Sequence, residues 1–353
     1  MTLSAVLLAN GMFRGVNAKT SHGLVRGPSR YRIVAVVDEQ CAGADAGEIL
    51  DGVHRGIPCV TSVEAVLRGE SPDVCVVGVA TPGGVLPDKL RADLIAAAEH
   101  GLSLVSGLHT FLNDDPEIRE AARRGGAQIL DIRRPRPVAE LRLWDGSSLA
   151  VKTPRIAVLG TDCAIGKRTT AALLTESLRE RGLRCEMIST GQTGYLQGAR
   201  HGFFFDATPN DFVSGELERV IKECAEQSDP ELMVLEGQSS FFNPSGPCGS
   251  EFVLSGGVHH VVLQHAPQRE FHDDLETVGA RIPPLEKHVA MVELLGAKVL
   301  AVTLNEAGMT ETEARRVAAR LEHSLNVSVV LPLTDGVTAL AKLVEERVLR
   351  DLG

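Results

Sequence analysis

The chain contains no apolar run approaching the roughly 20 residues of a membrane-spanning helix, so a membrane is not expected among its partners. It has no Cys-x-x-Cys pair either. Its seven cysteines, Cys41, Cys59, Cys75, Cys163, Cys185, Cys224 and Cys248, are odd in number and scattered. Free thiols are expected rather than disulfides or a zinc site. An excess of positive charge is also missing. The formal net charge of -10 speaks against nucleic acid as a partner while leaving room for local cationic pockets that attract a small anion. No Gly-x-Ser-x-Gly elbow, internal repeat or low-complexity tract is present. The first ten residues carry no basic leader, so a cytoplasmic location is expected.

What is present is enough for two cores, with 353 residues of which 44% are hydrophobic. Strand-like segments alternate with helical ones throughout, which predicts an α/β protein with two parallel sheets. The first set has candidate strands at 5–9, 32–37, 74–78, 103–105 and 128–130, with an amphipathic helix at 88–100 closed by Gly101. This order is Rossmann-like. The Gly-x-Gly-x-x-Gly fingerprint is replaced by the partial match Asn10-Gly11-Met12-Phe13-Arg14-Gly15, and Asp38 stands where a ribose-binding acid would be. Asp131-Ile-Arg-Arg-Pro-Arg-Pro137, rich in proline and cation, predicts the end of a domain covering 1–137, with a connector at 138–153 and a second domain at 154–353. In that domain strands are expected near Ile156 and at 185–189, 232–235, 260–263, 299–303 and 327–330. Helices are expected at 167–181, 211–226, 286–295, 310–323 and 336–349.

The strongest chemical signal opens the second domain. Arg155-Ile-Ala-Val-Leu delivers Gly160-Thr161-Asp162-Cys163-Ala164-Ile165-Gly166-Lys167-Arg168-Thr169-Thr170. A glycine-bounded loop between a strand and a helix turns backbone N–H groups toward an anion, and the helix adds unpaired amides and the positive end of its dipole. Gly160, Thr161, Asp162, Gly166, Lys167, Arg168 and Thr169 are the candidate cofactor-binding residues, with a solvent-facing Lys167 supplying a point charge. This predicts a P-loop NTPase-like parallel sheet. Five residues separate the two glycines instead of the usual four, as in dethiobiotin synthetases, which this stretch resembles. The position after the lysine, where a hydroxyl would bind Mg²⁺, holds Arg168. One residue further along a helix turns a side chain by roughly 100°, so Thr169 is not a simple substitute. The loop therefore points to binding of a phosphate-bearing ligand more than to its hydrolysis.

Other groups fall at expected strand ends, where α/β sheets bind ligands. Gln192 and Thr193 lie in Ser189-Thr-Gly-Gln-Thr-Gly-Tyr195, which suits ligand contacts or a plain glycine turn. Glu236, Gly237 and Gln238 follow the third strand. Under the dethiobiotin synthetase resemblance Glu236 falls at a Mg²⁺-binding acid; without metal it would serve as a base or an orienting group, or simply end a strand. His259, His260 and His265 flank one strand but alternate in face, so no metal site is expected; His265, at the strand's carboxyl end, is the candidate for chemistry. The loop holding Lys19 and Arg26 offers cations to a carboxylate, with a solvated turn as the alternative. Gly107-Leu108-His109 follows another strand of the first domain.

Taken together, the Gly160 to Thr170 loop, Ile129-Leu-Asp-Ile-Arg-Arg-Pro135, Lys19-Thr20 with Gly23 and Arg26, and Leu235-Glu-Gly-Gln-Ser-Ser240 resemble a two-domain bacterial and archaeal family first known only as a domain of unknown function. The resemblance covers nearly the whole chain. Members similar to it have been linked to D-glutamate catabolism as D-glutamate N-acetyltransferases, with acetyl-CoA as co-substrate. The resemblance implies that Lys167 and Arg168 anchor the coenzyme A phosphates, that Lys19 and Arg26 hold the dicarboxylic amino acid, and that Glu236 or His265 moves the proton. Gln192, Thr193 and Gln238 would make polar contacts. An ATP- and Mg²⁺-dependent ligase or kinase, with Thr169 and Glu236 as ligands, is the competing expectation. A nucleotide-sensing partner protein is the third. Whether the chain pairs with a second copy of itself is left open.

Overall fold

In the computed structural model, described over residues 2–81 and 84–349, the chain forms two compact units. One runs to Arg136 and also takes in Gln192–Gly198; the other comprises Pro137–Gly191 and the chain from Ala199 onward. The expected connector at 138–153 thus belongs to the second unit, and seven residues placed in the second domain by sequence belong to the first.

The first unit is a six-stranded sheet built from β1 (Ser4–Leu8), β2 (Arg32–Val37), β3 (Cys59–Val60), β4 (Val74–Val77), β5 (Ser103–Ser106) and β6 (Ile129–Asp131). Its order is β3-β2-β1-β4-β5-β6, every pairing is parallel, and the direction of winding reverses at β1. All five residues of β1 and all four of β4 are buried, as expected of strands covered on both faces. The two-residue β3 is too short to announce itself by pattern.

The second unit is a seven-stranded parallel sheet of β7 (Arg155–Gly160), β8 (Cys185–Ser189), β9 (His201–Gly202), β10 (Leu232–Glu236), β11 (His260–His265), β12 (Lys298–Leu304) and β13 (Ser328–Val330), ordered β13-β12-β11-β7-β10-β8-β9. Alternate residues of one strand feed two cores, since successive side chains point to opposite faces. Ala157, Leu159, Met233, Leu235, Val261 and Leu263 join one apolar cluster, and Ile156, Val158, Leu232, Val234 and Val262 join the other. The helix Glu311–Leu325 begins with a capping box between Thr310 and Glu313 and ends at Asn326 in the left-handed region. Among the described residues no helix is long and apolar enough to cross a membrane.

Candidate phosphate-binding site

β7 is buried along its full length and lies between β11 and β10, so its carboxyl end emerges at the middle of the second sheet. The helix that follows, Lys167–Glu180, starts at Gly166 with φ +108° and has no side-chain cap. Its first amides are therefore left to an anion. Ala164, within the loop, has φ +51°, a left-handed conformation uncommon for any residue but glycine.

Lys167 does not face solvent as expected. It is 6% exposed, and its stem lies across Gly160, where an added Cβ would come within 2.9 Å of the lysine Cδ. Glycine is required there because the lysine folds back over the strand end. The ammonium donates to the carbonyls of Asp162 and Ser239, the latter at 2.9 Å, and burial lowers its pKa.

Glu236, the last residue of β10, is 6% exposed. Its Oε2 accepts from the Thr190 N–H at 3.1 Å, and its backbone carbonyl accepts from the Thr190 hydroxyl at 2.8 Å. Burial raises the pKa of this carboxyl, and Arg168 is the strongest influence drawing it back, ahead of the Thr190 N–H and Lys167. Arg168 thus acts electrostatically on this carboxyl. Gln238 donates to the Thr190 hydroxyl at 3.0 Å. Thr169 is half-buried on the first helical turn, while Thr170 turns inward to Gln264 Oε1 at 2.6 Å.

Asp162 has a different role from the ligand contact expected of it. It is 0% exposed, and both oxygens are engaged within the protein. Oδ1 accepts from Asn243 Nδ2 (3.1 Å) and bonds His272 Nδ1 (2.8 Å), while Oδ2 accepts from Arg269 (2.9 Å) and the Asp273 N–H (2.8 Å). Arg269 also donates to the Cys163 carbonyl at 2.7 Å. Desolvation pushes the Asp162 pKa up, but the bonds from His272 and Arg269 outweigh it and leave it lowered. The residue fastens the loop to the segment after β11.

His265 bonds Thr161 Oγ1 through Nδ1 at 3.1 Å, and burial lowers its pKa to about 4. Its imidazole is therefore neutral near pH 7. His288, on the helix Leu285–Leu294, is 0% exposed and packs edge-on against Phe242 at 4.8 Å and 87°. Its pKa is also lowered to about 4, chiefly by burial. An unfolded histidine titrates near 6.5, so the unfolded chain takes up this proton first and stability falls as the pH drops from about 6.5 toward 4. About 3 kcal/mol is expected to be lost across that window on account of His288. Urea unfolding of wild type and His288→Phe at several pH values checks this; identical pH dependence in the two proteins would contradict it.

The remaining candidates gather in the first unit. Lys19–Arg26, expected as a loop, is a helix. Ser21 bonds the Gly78 carbonyl through both its N–H and its hydroxyl at 2.9 Å, and Asn17 accepts from the Ala80 N–H at 2.8 Å. Lys19 is exposed at its first turn. Arg26, expected on substrate, pairs with Asp51 at 3.1 Å; Asp51 is held down at about 2 by Arg55 first and by Arg26 after it. Gln192 and Thr193, candidates for ligand contacts or a plain glycine turn, lie in the helix Gln192–Leu196. Gln192 Oε1 accepts from Arg133 Nε at 2.6 Å, and Thr193 and Thr20 share a hydroxyl bond of 3.1 Å. Asp38 accepts from the N–H groups of Phe13 and Gln40 at 2.9 and 3.0 Å, so its carboxylate helps to shape the loop after β1.

Ser239, Asn243, Arg269 and His272 escaped sequence reasoning. The one available signal was an aspartate inside an anion-binding loop, which must find donors if it is buried.

The sequence profile described as a domain of unknown function, the DUF1611_C P-loop domain, matches residues 142–341, and the DUF1611_N Rossmann-like domain matches 39–135. A protein named D-glutamate N-acetyltransferase from Tritonibacter scottomollicae is 29% identical over 292 residues, covering 81% of this chain and 84% of its own. Another of that name from a Pseudoalteromonas species is 28% identical over 273 residues, covering 75% and 79%. The crystal structure of a DUF1611 family protein from Anabaena variabilis ATCC 29413 has a TM-score of 0.89 at 29% identity, over 98% of this chain and 100% of that one. These similarities agree with the resemblance read from the motifs, and since the P-loop profile alone spans more than half of the residues, the chain belongs to the DUF1611 family.

Proposed function

We propose that the chain is an N-acyltransferase that moves an acetyl group from acetyl-CoA to the amino group of D-glutamate, a step in D-amino acid catabolism. The observation that carries this reading is the similarity over 81% of the chain to the Tritonibacter protein named D-glutamate N-acetyltransferase. The loop fits it. Coenzyme A brings phosphates that an uncapped helix start, Lys167 and Arg168 suit, and Arg168, whose charge acts on Glu236, stands at the sequence position where a phosphoryl-transfer loop carries its Mg²⁺-binding hydroxyl. The same substitution disfavours a Mg²⁺-dependent ligase.

In the reaction the neutral amine attacks the thioester carbonyl, the C–N bond forms, and the C–S bond breaks. The amine's proton goes to a base, and the departing thiolate takes up a proton. His265 is our candidate for the base, since it is neutral near pH 7 and its Nδ1 is fixed by Thr161. A weak base suffices because a thioester is already activated toward amines and positioning supplies much of the rate. Glu236 balances the charge of Arg168 and Lys167.

Substrate anchoring by Lys19 is part of this proposal; Arg26, already paired with Asp51, is not. Lys19→Met should raise KM for D-glutamate severalfold while leaving KM for acetyl-CoA nearly unchanged, provided the contact is equal in ground and transition states. Initial rates with each substrate varied in turn check this. Equal losses for both substrates would assign Lys19 a structural role. Thiol release measured with D-glutamate, L-glutamate and D-alanine tests the acceptor: D-glutamate should lead clearly, and equal rates with D-alanine would defeat the dicarboxylate reading.

A further inference from the structure

The segment 138–153, which leads into the amino end of β7 at the edge of the sheet opposite the anion loop, is irregular yet firmly fastened. Glu218, on the helix Val213–Ser228, accepts from the N–H groups of Asp145 and Ser148 at 3.0 Å each. Arg155 donates to the carbonyls of Ser148 and Val151 at 2.8 and 3.0 Å. The Ser255 carbonyl, just after the short helix Ser250–Leu254, accepts from Trp144 Nε1 at 3.1 Å and from the Ser148 hydroxyl at 2.8 Å. Glu218, Ser148 and Arg155 are all buried, so the segment is pinned from beneath.

What it holds outward is apolar. Leu143, Trp144 and Leu149 are 64%, 41% and 53% exposed, and Leu254, next to Ser255, is 57% exposed. Trp144 and Ser148 meet at the Ser255 carbonyl, and the Leu149 side chain reaches Gly257, so the exposed groups adjoin one another. Together they present about 400 Å² of apolar surface, a size at which exposed patches are often functional. The area fits a second copy of the chain. Two such faces pressed together bury about 800 Å² of apolar surface, close to the apolar share of a standard interface of about 1,600 Å². The charges fit it as well. Arg142 and Asp145, both exposed, stand at either end of Leu143-Trp144, so a two-fold axis between residues 143 and 144 brings Arg142 of each copy to Asp145 of the other. That pairing offsets the mutual repulsion of two chains of net charge -10. A face already rigid also loses little freedom on docking.

We propose that this face, centred on Leu143 and Trp144 and including Leu149 and Leu254, is a two-fold interface between two copies of the chain, whatever reaction the anion loop serves.

Sedimentation of the full chain across a dilution series, with tryptophan fluorescence read on the same samples, tests it. Trp144 is the single tryptophan of the chain, so its emission reports on this face and no other. The wild type should sediment as a dimer, and dilution to the monomer should shift the emission to longer wavelength and raise its quenching by acrylamide. Leu143→Asp alters an exposed side chain, so it should leave the circular dichroism spectrum unchanged while weakening association at least about tenfold. Arg142→Glu should weaken association too, by setting a second acid against Asp145, and the double variant Arg142→Glu/Asp145→Arg should restore it. A wild type that stays monomeric at the highest concentration reached overturns the proposal and leaves the face to a different protein. A dimer that survives Leu143→Asp, or whose dissociation leaves the Trp144 emission unchanged, associates through another surface and overturns it equally. A folded double variant that associates no better than Arg142→Glu overturns the two-fold pairing.

Discussion

Asp162→Ala is expected to destabilise the protein by about 3–5 kcal/mol, the scale for removing one partner of a buried ion pair. The carboxylate is fully buried and receives Arg269, His272, Asn243 and the Asp273 N–H, all at 2.8–3.1 Å. Alanine leaves the guanidinium and three further partners without their acceptor inside the fold. Asp162→Asn should cost less, because the amide keeps the shape and one oxygen but turns an N–H toward a donor. The loop that Asp162 holds should also lose its affinity for phosphate. Urea denaturation of the three proteins gives the comparison, and a loss below about 1 kcal/mol for the alanine variant would show that the hub does not carry the loop.

Lys167→Met should weaken binding of a phosphate-bearing ligand by about 1.5–3 kcal/mol, roughly 10- to 150-fold, the range of a charge-assisted hydrogen bond. Methionine keeps the unbranched stem over Gly160 and removes the ammonium. The carbonyls of Asp162 and Ser239 then lose their donor, so a stability loss of about 1–2 kcal/mol should accompany the loss of affinity. Titration with coenzyme A under conditions where the variant is fully folded separates the two effects. Unchanged affinity would remove Lys167 from the cradle.

The sheets were legible because their strands are continuous apolar runs: Arg155-Ile-Ala-Val-Leu-Gly160 and Val74-Cys-Val-Val77 need no long-range information to be recognised. The loop was legible because glycine spacing and Gly-Lys are local. The helix Gln192–Leu196 was not, since Gly191-Gln-Thr-Gly194, two glycines around an amide and a hydroxyl residue, is typical of a turn, and its residues are held by partners from far along the chain, Arg133 and Thr20. Lys19–Arg26 misled for a similar reason: Thr20, Ser21 and Gly23 weaken helix propensity, and bonds to Gly78 compensate. The direction of Lys167 and the inward commitment of Asp162 depend on Ser239, Asn243 and Arg269, which lie 72 to 107 positions away. No local pattern announces such pairings.

In the proposed reaction this loop cradles an acyl donor, with Arg168 in the position where metal-dependent phosphoryl transfer needs a hydroxyl. Thiol release from acetyl-CoA in the presence of D-glutamate, followed after the protein has been stripped of divalent ions and kept in EDTA, tests it most directly. The account predicts turnover that persists without metal, needs no ATP, and is unchanged by added Mg²⁺. Complete loss in EDTA, restored by Mg²⁺ and dependent on ATP, would contradict it.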